Sequence, residues 1–106
     1  MPDQFDVHVK PGATNAVMPF VVIVQSNRFR SSSQRVVAPL LDAKSFKLPD
    51  SDVAPHFLVR LRDVVLDPLR ITNVPARVLG VAIASLAEED ARIVNALDIL
   101  LSRAWR

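Results

Sequence analysis

Residues 4–10 alternate strictly, with Phe5, Val7 and Val9 on one side of an extended chain and Gln4, Asp6, His8 and Lys10 on the other. A period of two fits a half-buried strand and no helix, and it sets the character of most of the chain. Pro11-Gly12 breaks this first strand. The apolar run from Phe20 to Val24, rich in β-branched residues, then predicts a central strand covered on both faces. Residues 26–33 are rich in serine and arginine and cannot bury themselves, so they read as an exposed loop. Residues 34–41 resume strand character, with Pro39 suited to an edge or a bend because proline donates nothing to a ladder. A long irregular connection around Leu48-Pro49-Asp50 follows. Residues 56–62 alternate again, with Phe57, Val59 and Leu61 expected inward, and residues 63–74 supply a turn and another strand. About five antiparallel strands result.

The end of the chain has a different period. Ser85 with Glu88 three residues later suggests a capping box, and no Pro or Gly interrupts the sequence from there to residue 106. Ile93, Ala96, Leu97, Leu100, Leu101 and Ala104 recur at steps of three and four, which predicts an amphipathic terminal helix. Val94, Ile99 and Trp105 widen its apolar arc beyond what one sheet face needs, as a helix shared between two protomers would show. Glu88, Glu89 and Asp90 crowd its first turn, where the helix dipole favours negative charge, so they read as structural.

Several classes of function lose their footing on composition. At 106 residues the chain is expected to be one domain, 1–106. Without cysteine it has no disulfide framework and no thiolate metal site. Met1-Pro2-Asp3-Gln4 does not open like a signal peptide, and no apolar run approaches the ~20 residues that cross a bilayer, so a cytoplasmic location without membrane contact is expected. A formal charge of +2 is too slight to point to direct nucleic-acid binding. Gly12 and Gly80 are the only glycines, which excludes a glycine-rich phosphate loop. His8 and His56, the only histidines, fall on polar strand faces with no metal-ligand spacing and are expected at the surface. No cofactor is expected.

Gln4-Phe5-Asp6-Val7, Val24-Gln25-Ser26-Asn27, Arg35-Val36-Val37-Ala38-Pro39-Leu40, Val74-Pro75, Gly80 and Ile93-Val94-Asn95-Ala96-Leu97 occur in an order and spacing that resembles the CcdB toxins of bacterial toxin–antitoxin modules. The resemblance implies a mainly β (α+β) fold: a small SH3-like antiparallel barrel with a C-terminal helix, paired as a twofold homodimer. It further implies a toxin that grips the breakage-reunion subunit of DNA gyrase and is neutralised by a CcdA-like antitoxin, with no catalytic residues of its own.

On that resemblance the target-binding residues are Trp105, Leu101, Asp98, Arg28 and Phe29. Trp105, the single tryptophan, would serve as an aromatic anchor, and Phe29 sits between Arg28 and Arg30 on the serine-rich loop. The chain departs from the family at its tip. Where the best-known gyrase poison ends in Phe-Trp-Gly-Ile, the gap-free counterparts are Leu101, Ser102, Arg103 and Ala104, so Trp105 replaces the family's tryptophan only if the helix runs about one extra turn. Two alternatives stay open. One is an RNA-cleaving toxin on the same barrel, using Arg35, Arg60, Asp67 or His56 for proton transfer and phosphate stabilisation. The other is a decayed toxin that only binds antitoxin.

Overall fold

The computed structural model describes residues 2–12 and 17–103. Its strands are β1 (Asp6–Val9), β2 (Phe20–Ile23), β3 (Gln34–Asp42), β4 (His56–Val59), β5 (Arg62–Leu66), β6 (Thr72–Pro75) and β7 (Ala84–Ser85). The helices are a single turn, α1 (Ala43–Phe46), and the longer α2 (Asp90–Leu101). All strand pairs are antiparallel and run in the order β4-β5-β3-β2-β1-β7, with β6 also on β3. The result is the expected small, nearly closed barrel with one C-terminal helix. Arg60, at the tip of the β4–β5 hairpin, brings the two ends of the sheet together by donating from Nε to the Ile83 carbonyl, 3.1 Å away and just before β7.

β3 is the spine of the sheet. One edge follows β2, while the other pairs with β6 through residues 34–37 and with β5 through residues 40–42. Pro39 is buried in this central strand rather than at a sheet edge. Val24 N–H donates to the Val36 carbonyl at 3.0 Å, and antiparallel alternation then leaves Pro39 opposite Val21 in a pair without hydrogen bonds. On the other edge its carbonyl accepts from Asp67 N–H at 3.1 Å, and the reciprocal bond that proline cannot donate is replaced at the Asp67 carbonyl by Arg70 N–H at 3.3 Å.

Two apolar clusters lie on the two faces of the sheet. The larger joins Val7, Val22, Leu40, Phe57 and Leu66 to Ile93 and Ala96 of α2. The smaller joins Val21, Ile23, Val37 and Leu79. The second cluster corrects the reading of β1: His8 is buried, 1% exposed, while Val9 at the strand end is 51% exposed. The segment after β6 crosses the face that alternation marks as polar, and His8 Nδ1 donates to the Leu79 carbonyl at 3.0 Å.

Other expectations shift for local reasons. Leu61 does not point inward but is 92% exposed, because Val59 pairs with Arg62 and leaves Arg60-Leu61 as a two-residue turn. Both turn residues have positive φ, 49° and 65°, the geometry of a type I′ hairpin. The turn thus comes before Asp63, and residues 63–74 divide into the end of β5, a 3-10 turn at Pro68–Arg70, and β6. Strands as short as β6 and β7 have too few residues to show a period, which is why seven form where about five are legible. The proposed capping box does not form, since Ser85 lies in β7 and its hydroxyl accepts from Ala87 N–H. A 3-10 turn at Ala87–Glu89 leads into α2, which stops at Leu101 with Ser102 extended (φ −71°, ψ 153°) rather than running on to residue 106.

Candidate target-binding surface

The loop between β2 and β3 is built by its own side chains. Asn27–Phe29 form one 3-10 turn, capped by Ser26, whose hydroxyl accepts from Arg28 N–H at 3.1 Å. The Asn27 carboxamide oxygen accepts from Gln4 N–H at 2.8 Å, tying the turn to the N-terminal arm. The Gln25 amide donates to the carbonyls of Phe29 and Gln34, each at 3.2 Å, and accepts from Val36 N–H at 2.9 Å. Arg30 pairs with Asp3 at 3.3 Å. This scaffold holds Phe29 outward, 64% exposed, beside a shallow hollow of about 430 Å³ lined by Val24, Gln25, Ser26, Ser32 and Val36. Arg28 is exposed next to it.

A second patch lies on α2. Ile93 and Ala96 face the core, so Asp98 and Leu101, three residues apart, come out on the solvent side, Leu101 being 76% exposed. Leu101 therefore leaves the buried stripe to which its spacing assigns it. Trp105 lies outside the described residues. Arg28 and Phe29 lie on the β2–β3 loop and Asp98 and Leu101 on the last turns of α2, and no hydrogen bond or ion pair among the described residues joins the two patches.

Beside α2, an apolar groove of about 400 Å³ runs between Phe46, Leu48 and Val53 of the long connection and Leu69, Ile99 and Leu100. The connection forming its wall is tied down by polar contacts. Asp50 accepts from His56 N–H at 3.0 Å and pairs with Arg92 at 3.1 Å, and these partners hold its carboxyl below the ordinary 3.8. Asp42, at the start of α1, is lowered likewise, first by the Ser45 hydroxyl and then by Arg62.

The residues weighed for RNA cleavage are each engaged elsewhere. Arg35 is 2% exposed and donates only to backbone carbonyls. Arg60 holds Ile83, His56 Nε2 donates to the Leu48 carbonyl at 2.6 Å, and Asp67 caps the 3-10 turn at Leu69 N–H while pairing with Arg70. His56 and Arg60 stand at opposite ends of β4 and its hairpin. The described residues contain no group of three or more His, Asp or Glu placed to hold a metal ion, and no described helix is long and apolar enough to cross a membrane.

The model of the family described as CcdB protein matches residues 4–102. The chain belongs to the CcdB family. Membership implies the toxin component of a toxin–antitoxin module, a protein that works by binding. A search of curated protein sequences gave no match. The match ends one residue past α2 and covers both patches, Arg28-Phe29 and Asp98-Leu101. Sequence reasoning missed how the first patch is supported: the Asp3 carboxylate pairs with Arg30, Gln4 N–H donates to the Asn27 side chain and the Gln25 amide spans the loop, contacts that no spacing rule encodes. Gln4, Gln25 and Asn27 had a signal only as members of the Gln4-Phe5-Asp6-Val7 and Val24-Gln25-Ser26-Asn27 motifs.

Proposed function

We propose that this CcdB-family toxin acts as a homodimer that binds a protein target, the breakage-reunion subunit of DNA gyrase, through Arg28, Phe29, Asp98, Leu101 and Trp105, and traps the enzyme on cleaved DNA. A CcdA-like antitoxin neutralises it in the cytoplasm, and the chain acts as one domain with no catalytic residue of its own. The observation that carries this reading is Phe29: a large aromatic 64% exposed on a turn fixed by Ser26, Asn27 and Gln25. Holding a bulky apolar ring in water is unfavourable for a free protein and useful for a binder, because a rigid aromatic fills a partner's pocket with little entropy left to lose. Pairing two protomers about a twofold axis near α2 would combine the loop and helix patches of both into one surface.

The test is a gyrase supercoiling and cleavage assay with the purified protein, run beside Phe29→Ala and Trp105→Ala. Trapping of cleaved DNA by the wild type and loss of it in both variants is the expected result. Intact DNA with all three proteins, together with unimpaired capture of antitoxin, would replace gyrase poisoning with the decayed-toxin reading. Light scattering at tens of micromolar decides the dimer, and a monomer there removes the shared surface.

A further inference from the structure

Among the described residues, His8 and Arg35 are the only polar or charged side chains that are buried, and Arg35 is buried without a carboxylate partner. Its guanidinium donates to four backbone carbonyls: from Nε to Pro2 at 3.1 Å, from one terminal nitrogen to Ser32 at 2.6 Å and Gln34 at 2.8 Å, and from the other to Arg30 at 3.0 Å. A buried cation is tolerated only where donors meet acceptors in good geometry, and here carbonyl dipoles supply all of that compensation. Three of the four acceptors belong to residues 30–34, which follow the turn carrying Arg28 and Phe29. The fourth is the N-terminal arm.

The arm meets the same loop twice more, through Asp3 to Arg30 at 3.3 Å and Gln4 N–H to the Asn27 side chain at 2.8 Å. The Asp3–Arg30 pair is about half exposed on each side and is screened by water. Arg35 is the only one of these ties that is both charged and dry. We infer that Arg35 is a positioning residue: it fixes the arm and the loop as one unit, in the conformation that presents Arg28 and Phe29 to the target. Only a rigid planar fork with five N–H donors can hold several backbone points in different directions at once, so neither an apolar residue nor lysine reproduces the effect. Opening the loop removes the Arg30 and Ser32 acceptors together. The loop is therefore presented in an ordered state, and binding is spared the entropy of ordering it. The inference rests on the target-binding reading for its consequence, and on loop order alone for its mechanism.

Trypsin reads loop order directly, because Arg28 and Arg30 are cleavage sites within the loop. Full-length wild type, Arg35→Met, Arg35→Lys and Phe29→Ala would be compared for thermal midpoint, for the rate of native-state cleavage after Arg28 and Arg30 mapped by mass spectrometry, and for affinity toward the gyrase breakage-reunion subunit. For a folded Arg35→Met, cleavage should be roughly tenfold faster, since proteolysis tracks the open population, and affinity should fall in parallel. Arg35→Lys should fall between, while Phe29→Ala should lose affinity at the wild-type cleavage rate. An unchanged cleavage rate in Arg35→Met overturns the inference. If that variant does not fold, Arg35→Lys, which keeps the charge but loses the planar fork, should speed the same cleavages, and an unchanged rate there overturns it as well. A wild type that binds no gyrase would remove the proposed target, while the cleavage rates would still decide the role of Arg35.

Discussion

Arg92 of α2 lies over the ring of Phe57 on β4, its guanidinium carbon 4.7 Å from the ring centroid. The same group reaches Asp50 at 3.1 Å and Glu89 at 3.4 Å. One side chain thus joins the terminal helix, the barrel and the long connection after β3. Its stem and plane also help to cover Phe57, which is only 4% exposed.

Replacing Arg92 with alanine removes the stacking and both ion pairs. The ion pairs are solvent-exposed and weak, so most of the loss comes from the contact with Phe57. Arg92→Ala is expected to lower stability by about 1 kcal/mol, measured by urea unfolding. Arg92→Lys should recover only a small part of it, because an ammonium lacks the flat face that stacks on the ring.

The same clamp responds to acid. Asp50 is held below its ordinary value first by the His56 N–H and then by Arg92, and Asp42 first by the Ser45 hydroxyl. Both carboxyls are lowered by folding, so their contribution is complete above the unfolded-state value and is lost as the pH falls through the folded one. The urea midpoint should be level down to about pH 5 and fall below about pH 4. Asp50→Asn should flatten that fall, and a slope equal to the wild type's would show that Asp50 takes no part in it.

Arg60-Leu61 forms a type I′ turn without glycine or asparagine, with Leu61 at φ 65°. Such a conformation strains any side chain with a Cβ, and Leu61, 92% exposed, has almost no packing to offset the strain. Leu61→Gly should therefore stabilise the protein by roughly 0.5–1 kcal/mol, despite the added freedom of glycine in the unfolded chain. Leu61→Val, β-branched at the same position, should destabilise it. Arg60 is better left in place, since it bonds Ile83 across the seam of the barrel.

Strand character and the terminal helix were legible because hydrophobic period reports which side of an element is buried. His8 shows where that signal fails. Alternation assumes one dry face and one wet one, but the segment around Leu79 covers the second face of β1, and only the tertiary path brings it there. Leu61 failed for the opposite reason: a tight hairpin interrupted a pattern that continues through it on paper. The end of α2 at Leu101 carries no Gly or Pro, so composition offered no stop signal. At the candidate site, Arg28, Phe29, Asp98 and Leu101 were named from resemblance and are all exposed. The buried support given by Arg35 was hidden, because a sequence does not reveal which backbone carbonyls will converge on a guanidinium.

Two apolar residues of α2 separate folding from binding. Ile93 is fully buried against the barrel, whereas Leu101, two turns further on, is 76% exposed. Ile93→Ala removes buried methyl groups and leaves a cavity, so it should cost about 2–5 kcal/mol and lower the yield of folded protein. Leu101→Ala should change stability by no more than about 0.5 kcal/mol, since little of its surface is withdrawn from water on folding. If Leu101 belongs to the target surface, its truncation must instead weaken binding and relieve toxicity at an unchanged thermal midpoint. Thermal melts and growth on induction, run on both variants, separate the two cases: toxicity lost in both, with only Ile93→Ala destabilised, assigns Leu101 to the interface. A Leu101→Ala protein as toxic and as stable as the wild type would confine the binding surface to the Arg28-Phe29 loop and the chain beyond the helix.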